Sequence, residues 1–140
     1  MKIDSKRSFV LLLGVVLLAA LGLRLFHLQQ RVLWFDEANS LLIAKANPGR
    51  IINAVLDDTH SPFYYVILHY WQHVAGGDLG ARLLSVFAGV ATVAVVYSLG
   101  CVLAGRGAGL LSAALLGVCP LHVWYSQEIR MYALQTLCTG

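Results

Sequence analysis

The sequence has 140 residues, of which 59% are hydrophobic and only 12% are charged. This composition, with a mean hydropathy of +0.72, excludes an ordinary water-soluble domain and indicates an integral membrane chain. The formal net charge of +3 arises without a long basic run that could follow a phosphate backbone, so we expect no nucleic-acid partner.

Apolar windows predict three transmembrane helices, since a helix needs roughly 20 apolar residues to cross a hydrocarbon core about 30 Å thick. We place the spans at about 8–28, 81–105 and 107–125. Arg24 lies near enough to the end of the first span to snorkel toward the head groups. A cleaved signal peptide is the alternative for the first window, because its N-terminal flank is basic, but no small-x-small cleavage pattern follows.

The stretch SPFYYVILHYWQHVAGG, residues 61–77, decides the topology. Its apolar part is too short to span, and a helical winding puts Tyr65, His69, Gln72 and His73 on one stripe. The opposite side carries Phe63, Val66, Ile67, Tyr70, Trp71 and Val74. Tyrosine and tryptophan favour the head-group level, which predicts an interfacial helix within an outer loop of about 29–80.

Basic residues set the predicted orientation. The N-terminal lysines and arginine, and Arg106 between the second and third spans, place these ends in the cytoplasm. The chain is then an all-α protein of the plasma (inner) membrane, with His60 and Glu128 on the outer side and a further helix starting at its C-terminus. Six of the seven acids fall outside: Asp36, Glu37, Asp57, Asp58, Asp78 and Glu128.

Proline and acid positions predict short helices in the outer loop. Asp36 can cap a helix that ends before Pro48, and Pro48 can start a second helix that continues to about Leu56. Ser61 and Pro62 fit the N-cap and first position of the interfacial helix.

The segments WFDEANS (34–40) and WYSQEIRMYAL (124–134) meet at the outer membrane face in this topology. A carboxylate near the interface can act as a general base, and an arginine can bind a lipid-linked phosphate through charge-assisted hydrogen bonds. Transfer of a sugar from a polyprenyl phosphate needs both groups.

At these residues the sequence resembles the GT-C membrane glycosyltransferases, in particular the branch of protein O-mannosyltransferases and lipid A aminoarabinose transferases. The resemblance covers nearly the whole chain. It rests on the pair Asp36-Glu37 after the first span, a His-Pro-Pro-like element at His60-Ser61-Pro62, and SQEIRMY at 126–132. Ser61 departs from the pattern, because a proline is expected there.

The resemblance implies an inverting transfer of a sugar from a polyprenyl-phosphate donor on the outer face. It implies that Asp36 is the catalytic base with Glu37 beside it in the catalytic pocket, and that Arg130 holds the donor phosphate. The remaining donor or substrate-binding residues would be His60, Glu128, Arg130 and Tyr132.

The same resemblance implies that residues 1–140 are the N-terminal part of a multi-span domain and inactive alone. Its partners would be the lipid-linked sugar donor, membrane lipids and a lipid, glycan or protein acceptor. No cofactor is specified, and dependence on a divalent cation is left open.

Several of these residues also have structural interpretations. Asp36 could serve only as a helix cap, Glu128 and Arg130 could form a structural ion pair, and Arg82 could anchor the second span at the membrane boundary.

Histidine and cysteine spacing does not specify a metal centre. His69 and His73 could bind a metal ion, but no third ligand lies at a matching spacing, and a polar interfacial face also explains them. The three cysteines lie far apart in apolar stretches, which is neither a disulfide framework nor a zinc spacing.

Two other function classes compete with the enzyme. A non-catalytic membrane anchor or assembly module is the alternative, although it needs no outward cluster of acids, histidine and arginine. A transporter would need polar groups or broken helices at mid-membrane, whereas the second and third predicted spans carry only mildly polar side chains there.

Overall fold

The computed structural model describes residues 5–56 and 62–139, and within these ranges every regular element is helical. A short 3₁₀ turn at Leu28–Gln30 separates the first two α-helices. The α-helices are α1 (Ser5–Leu25), α2 (Phe35–Lys45), α3 (Pro48–Leu56), α4 (Pro62–Val74), α5 (Gly77–Val118), α6 (Pro120–Tyr125) and α7 (Tyr132–Thr139). The predictions of an all-α chain and of a further helix at the C-terminus are confirmed.

Two helical stretches of the described chain are long and apolar enough to cross a membrane: Arg7–Gln30 and Gly77–Val118. The first leaves its apolar side chains uncovered, with Val10 68% and Leu11 71% exposed. Such exposure is costly in water and costs nothing in lipid. The number of spans therefore depends on how α5 is divided, and the three-span arrangement stays a prediction.

Helix α5 folds back on itself at Gly105. This glycine has φ 86° and ψ 172°, a conformation that a residue with a Cβ rarely adopts. The two arms touch, because a Cβ built on Gly100 would lie 2.6 Å from the Cα of Gly109. The break coincides with the predicted boundary between the second and third spans.

The second arm of α5 ends at Val118, and α6 begins at Pro120. Proline has no N–H for the preceding turn and pushes the residue before it out of the helical region. Cys119 accordingly has φ −61° and ψ 117°. The prediction of one unbroken helix over 107–125 is therefore wrong.

The helices pack in two layers, each with its own core. One core joins α1 to both arms of α5 through Ala20, Val93 and Ala113. The other joins α2, α3 and α4 to the start of α5 and to the segment between α6 and α7. It contains Leu41, Ala44, Ile51, Tyr64, Tyr65, Leu68, Ala81 and Ile129.

Arg24 does not snorkel, and that prediction is wrong. Its side chain is fully buried, and its Nη1 donates to the carbonyl oxygens of Ala20 at 2.8 Å and Gly117 at 3.1 Å. Its Nη2 lies 2.7 Å from Nδ1 of His122, which accepts because a guanidinium can only donate.

The layer formed by α2, α3 and α4 follows the proline pattern of the sequence. Helix α2 ends at Lys45, before Pro48, and α3 spans Pro48–Leu56, so both predictions are confirmed. Helix α4 begins at Pro62 as predicted.

The predicted faces of α4 are wrong. Tyr65, assigned to the polar stripe, is buried with Tyr64 and Leu68, whereas Phe63 and Val74 on the supposed apolar side are exposed. Packing against α2, α3 and α5 sets the rotation of the helix, and sequence periodicity does not contain those partners.

Candidate functional site

Glu37 is a buried carboxylate that binds three separate segments. Its Oε2 accepts from Nη2 of Arg82 at 3.0 Å and from the backbone N–H of Trp34 at 3.2 Å. Its Oε1 accepts from the backbone N–H of Ile129 at 2.9 Å. The side chain is therefore fully engaged in holding the start of α2, the start of α5 and the segment between α6 and α7.

Arg82 completes this buried centre. Besides Glu37, its Nη1 donates to the carbonyl oxygens of Leu28 at 2.9 Å and Arg31 at 3.0 Å. Both members of the ion pair have side chains only 4% exposed. The prediction that Arg82 is a boundary anchor is wrong, because it fixes the turn after α1 from inside the protein.

The first two residues of the motif SQEIRMY, Ser126 and Gln127, contact neighbouring helices. Ser126 is fully buried, donates to the carbonyl oxygen of His122 at 2.6 Å and fits against Gly89, where a Cβ would lie 2.1 Å from its Oγ. Gln127 donates its Nε2–H to carbonyl oxygens at the end of α1, at 3.3, 3.0 and 3.2 Å from Leu23, Arg24 and Phe26. These carbonyls have no helical partner, so Gln127 acts as a C-terminal cap.

Asp36 has the opposite environment to its neighbour Glu37. The N-cap of α2 is Trp34, and Asp36 lies in the first turn, so the interpretation of Asp36 as the cap is wrong. Its side chain is 66% exposed and faces Arg130, with 3.7 Å between Oδ2 and Nη2. An exposed carboxylate can reach a bound hydroxyl or amine and accept its proton.

Arg130 lies between Asp36 and Tyr132. Its side chain is 14% exposed, its Nη2 donates to the Tyr132 hydroxyl at 3.4 Å, and its guanidinium lies 5.6 Å from the centre of the Tyr132 ring. Both polar contacts are longer than the 2.9 to 3.0 Å bonds of Arg82. The described contacts therefore hold Arg130 in position less tightly than those of Arg82.

Arg130 keeps its positive charge at this site. Burial alone would lower the pKa of Arg130, but the Tyr132 hydroxyl and the Asp36 carboxylate outweigh burial, and the pKa is raised. Burial raises the pKa of nearby Tyr64, whose hydroxyl therefore stays protonated. The site presents one permanent cation beside one exposed carboxylate.

Glu128 is hydrogen-bonded to Trp124 and is not paired with Arg130. It accepts from the indole Nε1–H of Trp124 at 2.7 Å, while the ion pair of Arg130 in the described chain is with Asp36. The interpretation of Glu128 and Arg130 as a structural ion pair is therefore wrong. The Arg31 guanidinium lies over the Trp124 ring, with its central carbon 4.0 Å from the ring centre.

A groove of about 400 Å³ opens beside Trp124. It is lined by Arg31, Val32, Leu33, Trp34 and Trp124. The lining combines apolar side chains with one cation, and it includes Trp34, the N-cap of α2.

The structure thus brings Asp36, Glu37, Arg130 and Tyr132 together, with Glu128 behind Trp124. His60 lies outside the described residues. Sequence reasoning missed the buried role of Arg82, and the available signal was that Arg82 is an arginine in the apolar first turns of a long helix. A buried arginine needs a carboxylate as its partner. Glu37 was overlooked as that partner because it is next to Asp36, the predicted base.

No protein family, curated protein or solved structure matches this chain.

Proposed function

We propose that this chain carries the donor-binding part of a membrane glycosyltransferase that moves a sugar from a polyprenyl phosphate to an acceptor at the outer face. The observation that carries the proposal is the pairing of an exposed Asp36 carboxylate with Arg130 at 3.7 Å. A base and a phosphate-binding cation are thereby held next to each other. The three predicted spans, the outward orientation and the location in the plasma (inner) membrane belong to this proposal.

Asp36 would be the general base. Its carboxylate is exposed, and the peptide that carries it is fixed by Glu37 directly after it. Positioning of this kind is what general-base catalysis needs, because the carboxylate must lie within hydrogen-bond distance of the attacking group. Glu37 would then be a positioning residue, since all its contacts are within the protein.

Arg130 would hold the donor phosphate. A guanidinium can donate two parallel hydrogen bonds to phosphate oxygens, and the loose contacts of Arg130 leave its donors available. Tyr132 supports the guanidinium from one side and offers its own hydroxyl.

The groove beside Trp124 would take the first isoprenoid units. Val32, Leu33 and the two tryptophans supply an apolar wall, and Arg31 supplies a cation at its edge. Trp34 both lines this groove and begins α2, so a lipid lying there would have its phosphate near Asp36 and Arg130.

The substitution Asp36→Asn tests the proposal in the full-length protein that contains this chain. Asn is nearly isosteric, so the fold should be kept, and we expect turnover of a polyprenyl-phosphate sugar to fall about 10²-fold or more. Asp78→Asn is the matched control, because Asp78 is also an exposed acid in the first turn of a helix. Equal turnover in Asp36→Asn and wild type would contradict a catalytic role.

The competing function is a non-catalytic assembly module, in which the pair of Asp36 and Arg130 would be purely structural. That function predicts that Asp36→Asn lowers the amount of folded protein in the membrane. Because Asp36 is 66% exposed, the proposed enzyme predicts unchanged folding, and the two are separated by measuring yield beside turnover.

A further inference from the structure

Two imidazoles on α4 have their protonation assigned by hydrogen bonds. Nδ1 of His69 lies 2.8 Å from the carbonyl oxygen of Ala44, and Nδ1 of His73 lies 2.8 Å from the carbonyl oxygen of His69. A carbonyl oxygen can only accept, so each Nδ1 carries the hydrogen. In the neutral ring the lone pair then belongs to Nε2.

Both Nε2 atoms are available. Among residues 5–56 and 62–139, neither has a hydrogen-bond partner, and His73 is exposed while His69 is half-buried. The two ring centres are 4.9 Å apart, one helical turn from each other. They border an open groove of about 240 Å³ that is also lined by Ala44, Lys45 and Gln72.

The hydrogen bonds at Nδ1 are of the kind that orients a metal-binding histidine. Donation from the far ring nitrogen to a carbonyl oxygen fixes the tautomer and raises the basicity of the ligating nitrogen. For His69 that carbonyl belongs to the last turn of α2, so the ring is held by another helix. The end of α2 also contributes partial negative charge, which favours a cation.

We propose that His69 and His73 bind one divalent transition-metal ion through their Nε2 atoms. Imidazole nitrogen suits Cu²⁺, Ni²⁺ and Zn²⁺, whereas Mg²⁺ and Ca²⁺ prefer oxygen. In the part of the chain that the structure describes, no group of three or more histidine, cysteine or acidic side chains gathers at one point. Water would complete the coordination beyond the two imidazoles, and the half-buried Gln72 lines the same groove.

This site stands independently of the proposed transferase. The groove that it borders is lined by Ala44, Lys45, Gln72 and the two histidines, and by neither Asp36 nor Arg130. Binding can therefore be measured without any sugar donor.

Calorimetric titration of CuCl₂ and ZnCl₂ into the detergent-purified chain, prepared without a polyhistidine tag, tests the site. We expect one ion per chain, with Cu²⁺ bound more tightly than Zn²⁺. His73→Gln should weaken binding about tenfold or more, because a lost ligand costs at least as much as a lost outer-shell partner. His27→Asn is the matched control, since it also removes an exposed imidazole. The backbone of residue 27 is left-handed, a conformation that asparagine tolerates.

Folding and ligation are separated by two further measurements. His73→Gln should unfold at the wild-type temperature without metal, because residue 73 is exposed and Gln is a good helix former. Electron paramagnetic resonance of the Cu²⁺-loaded wild type should show coupling to two imidazole nitrogens, and to one in His73→Gln. Unchanged affinity in His73→Gln, or lost affinity in His27→Asn, would overturn the proposal.

Discussion

Arg82 and Arg130 have the same guanidinium group but differ in burial and in the length of their polar contacts. Arg82 is buried, close to four carbonyl or carboxylate oxygens, and its charge is compensated by Glu37 at 3.0 Å. Arg130 has one distant carboxylate at 3.7 Å and one long hydrogen bond to a tyrosine. The first arginine stabilises the fold, and the second makes only these two long polar contacts within the described part of the chain.

Substituting the two arginines should separate binding from stability. Arg130→Ala should weaken binding of a polyprenyl-phosphate sugar by roughly 2–5 kcal/mol while the protein stays folded, and Arg130→Lys should weaken it less, because lysine keeps the charge but loses the fork. Donor affinity is measured on detergent-purified protein. Wild-type affinity in Arg130→Ala would end the phosphate role.

Arg82→Ala is the contrasting control for this experiment. Removing one partner of a buried pair leaves the Glu37 carboxylate without its cation, which typically costs about 3–5 kcal/mol. Thermal unfolding in detergent should therefore fall sharply in Arg82→Ala and stay near wild type in Arg130→Ala. A similar loss of stability in both would make Arg130 a structural residue.

At the scale of helices, local signals predicted the boundaries that depend on proline. Pro48 and Pro62 each start a helix as expected, because proline fits the first helical turn and disfavours the turn before it. The same rule applied at Pro120 would have predicted the break before α6. The apolar composition on both sides of Pro120 hid that break.

The orientation of single side chains could not be predicted in this way. Arg24 is buried because Gly117 and His122, more than 90 residues later, come close enough to accept its hydrogen bonds. Sequence periodicity describes one helix at a time, so it places Arg24 at a membrane boundary without revealing these partners. For the site, the sequence predicted which segments meet. It did not predict that Asp36 is exposed while Glu37 is buried.

The fold-back of α5 depends on glycines that allow close backbone contact. Gly100→Ala should destabilise the protein by about 1–3 kcal/mol, because its Cβ would lie 2.6 Å from backbone atoms of Gly109 that cannot move aside easily. Gly14→Ala is the matched control, since a Cβ there meets nothing within 4 Å. Thermal unfolding in detergent measures both, and equal values would contradict the tight contact between the arms.

At the scale of the whole molecule, the residues of the buried ion-pair centre gather at one end of the helices. Glu37, Arg82 and Ile129 meet there, while Arg106 follows the break at the other end of the first arm of α5. At about 1.5 Å per residue, Arg82 and Arg106 are roughly 36 Å apart, which is enough to cross a hydrocarbon core. The two ends of this arm can therefore face different aqueous sides.

Labelling from one side of the membrane tests this arrangement. In a background where the native cysteines are serine, Lys45→Cys and Glu128→Cys should react with an impermeant maleimide added outside, and Arg106→Cys should react only after permeabilisation. The basic N-terminus and Arg106 motivate the orientation. Reaction of positions 106 and 128 from the same side would refute the three-span topology.

The three bonds of Glu37 also impose an order on biosynthesis. Arg82 follows Glu37 by 45 residues and Ile129 follows Glu37 by 92, so neither partner has been made when Glu37 is added to the chain. At about 5–20 residues per second, the wait for Ile129 lasts roughly 5 to 20 s. During that interval the acid stays hydrated, since a lone carboxylate cannot be buried at an acceptable cost. The segment WFDEANS therefore takes its final place only after the nascent chain has passed the last residue that binds it.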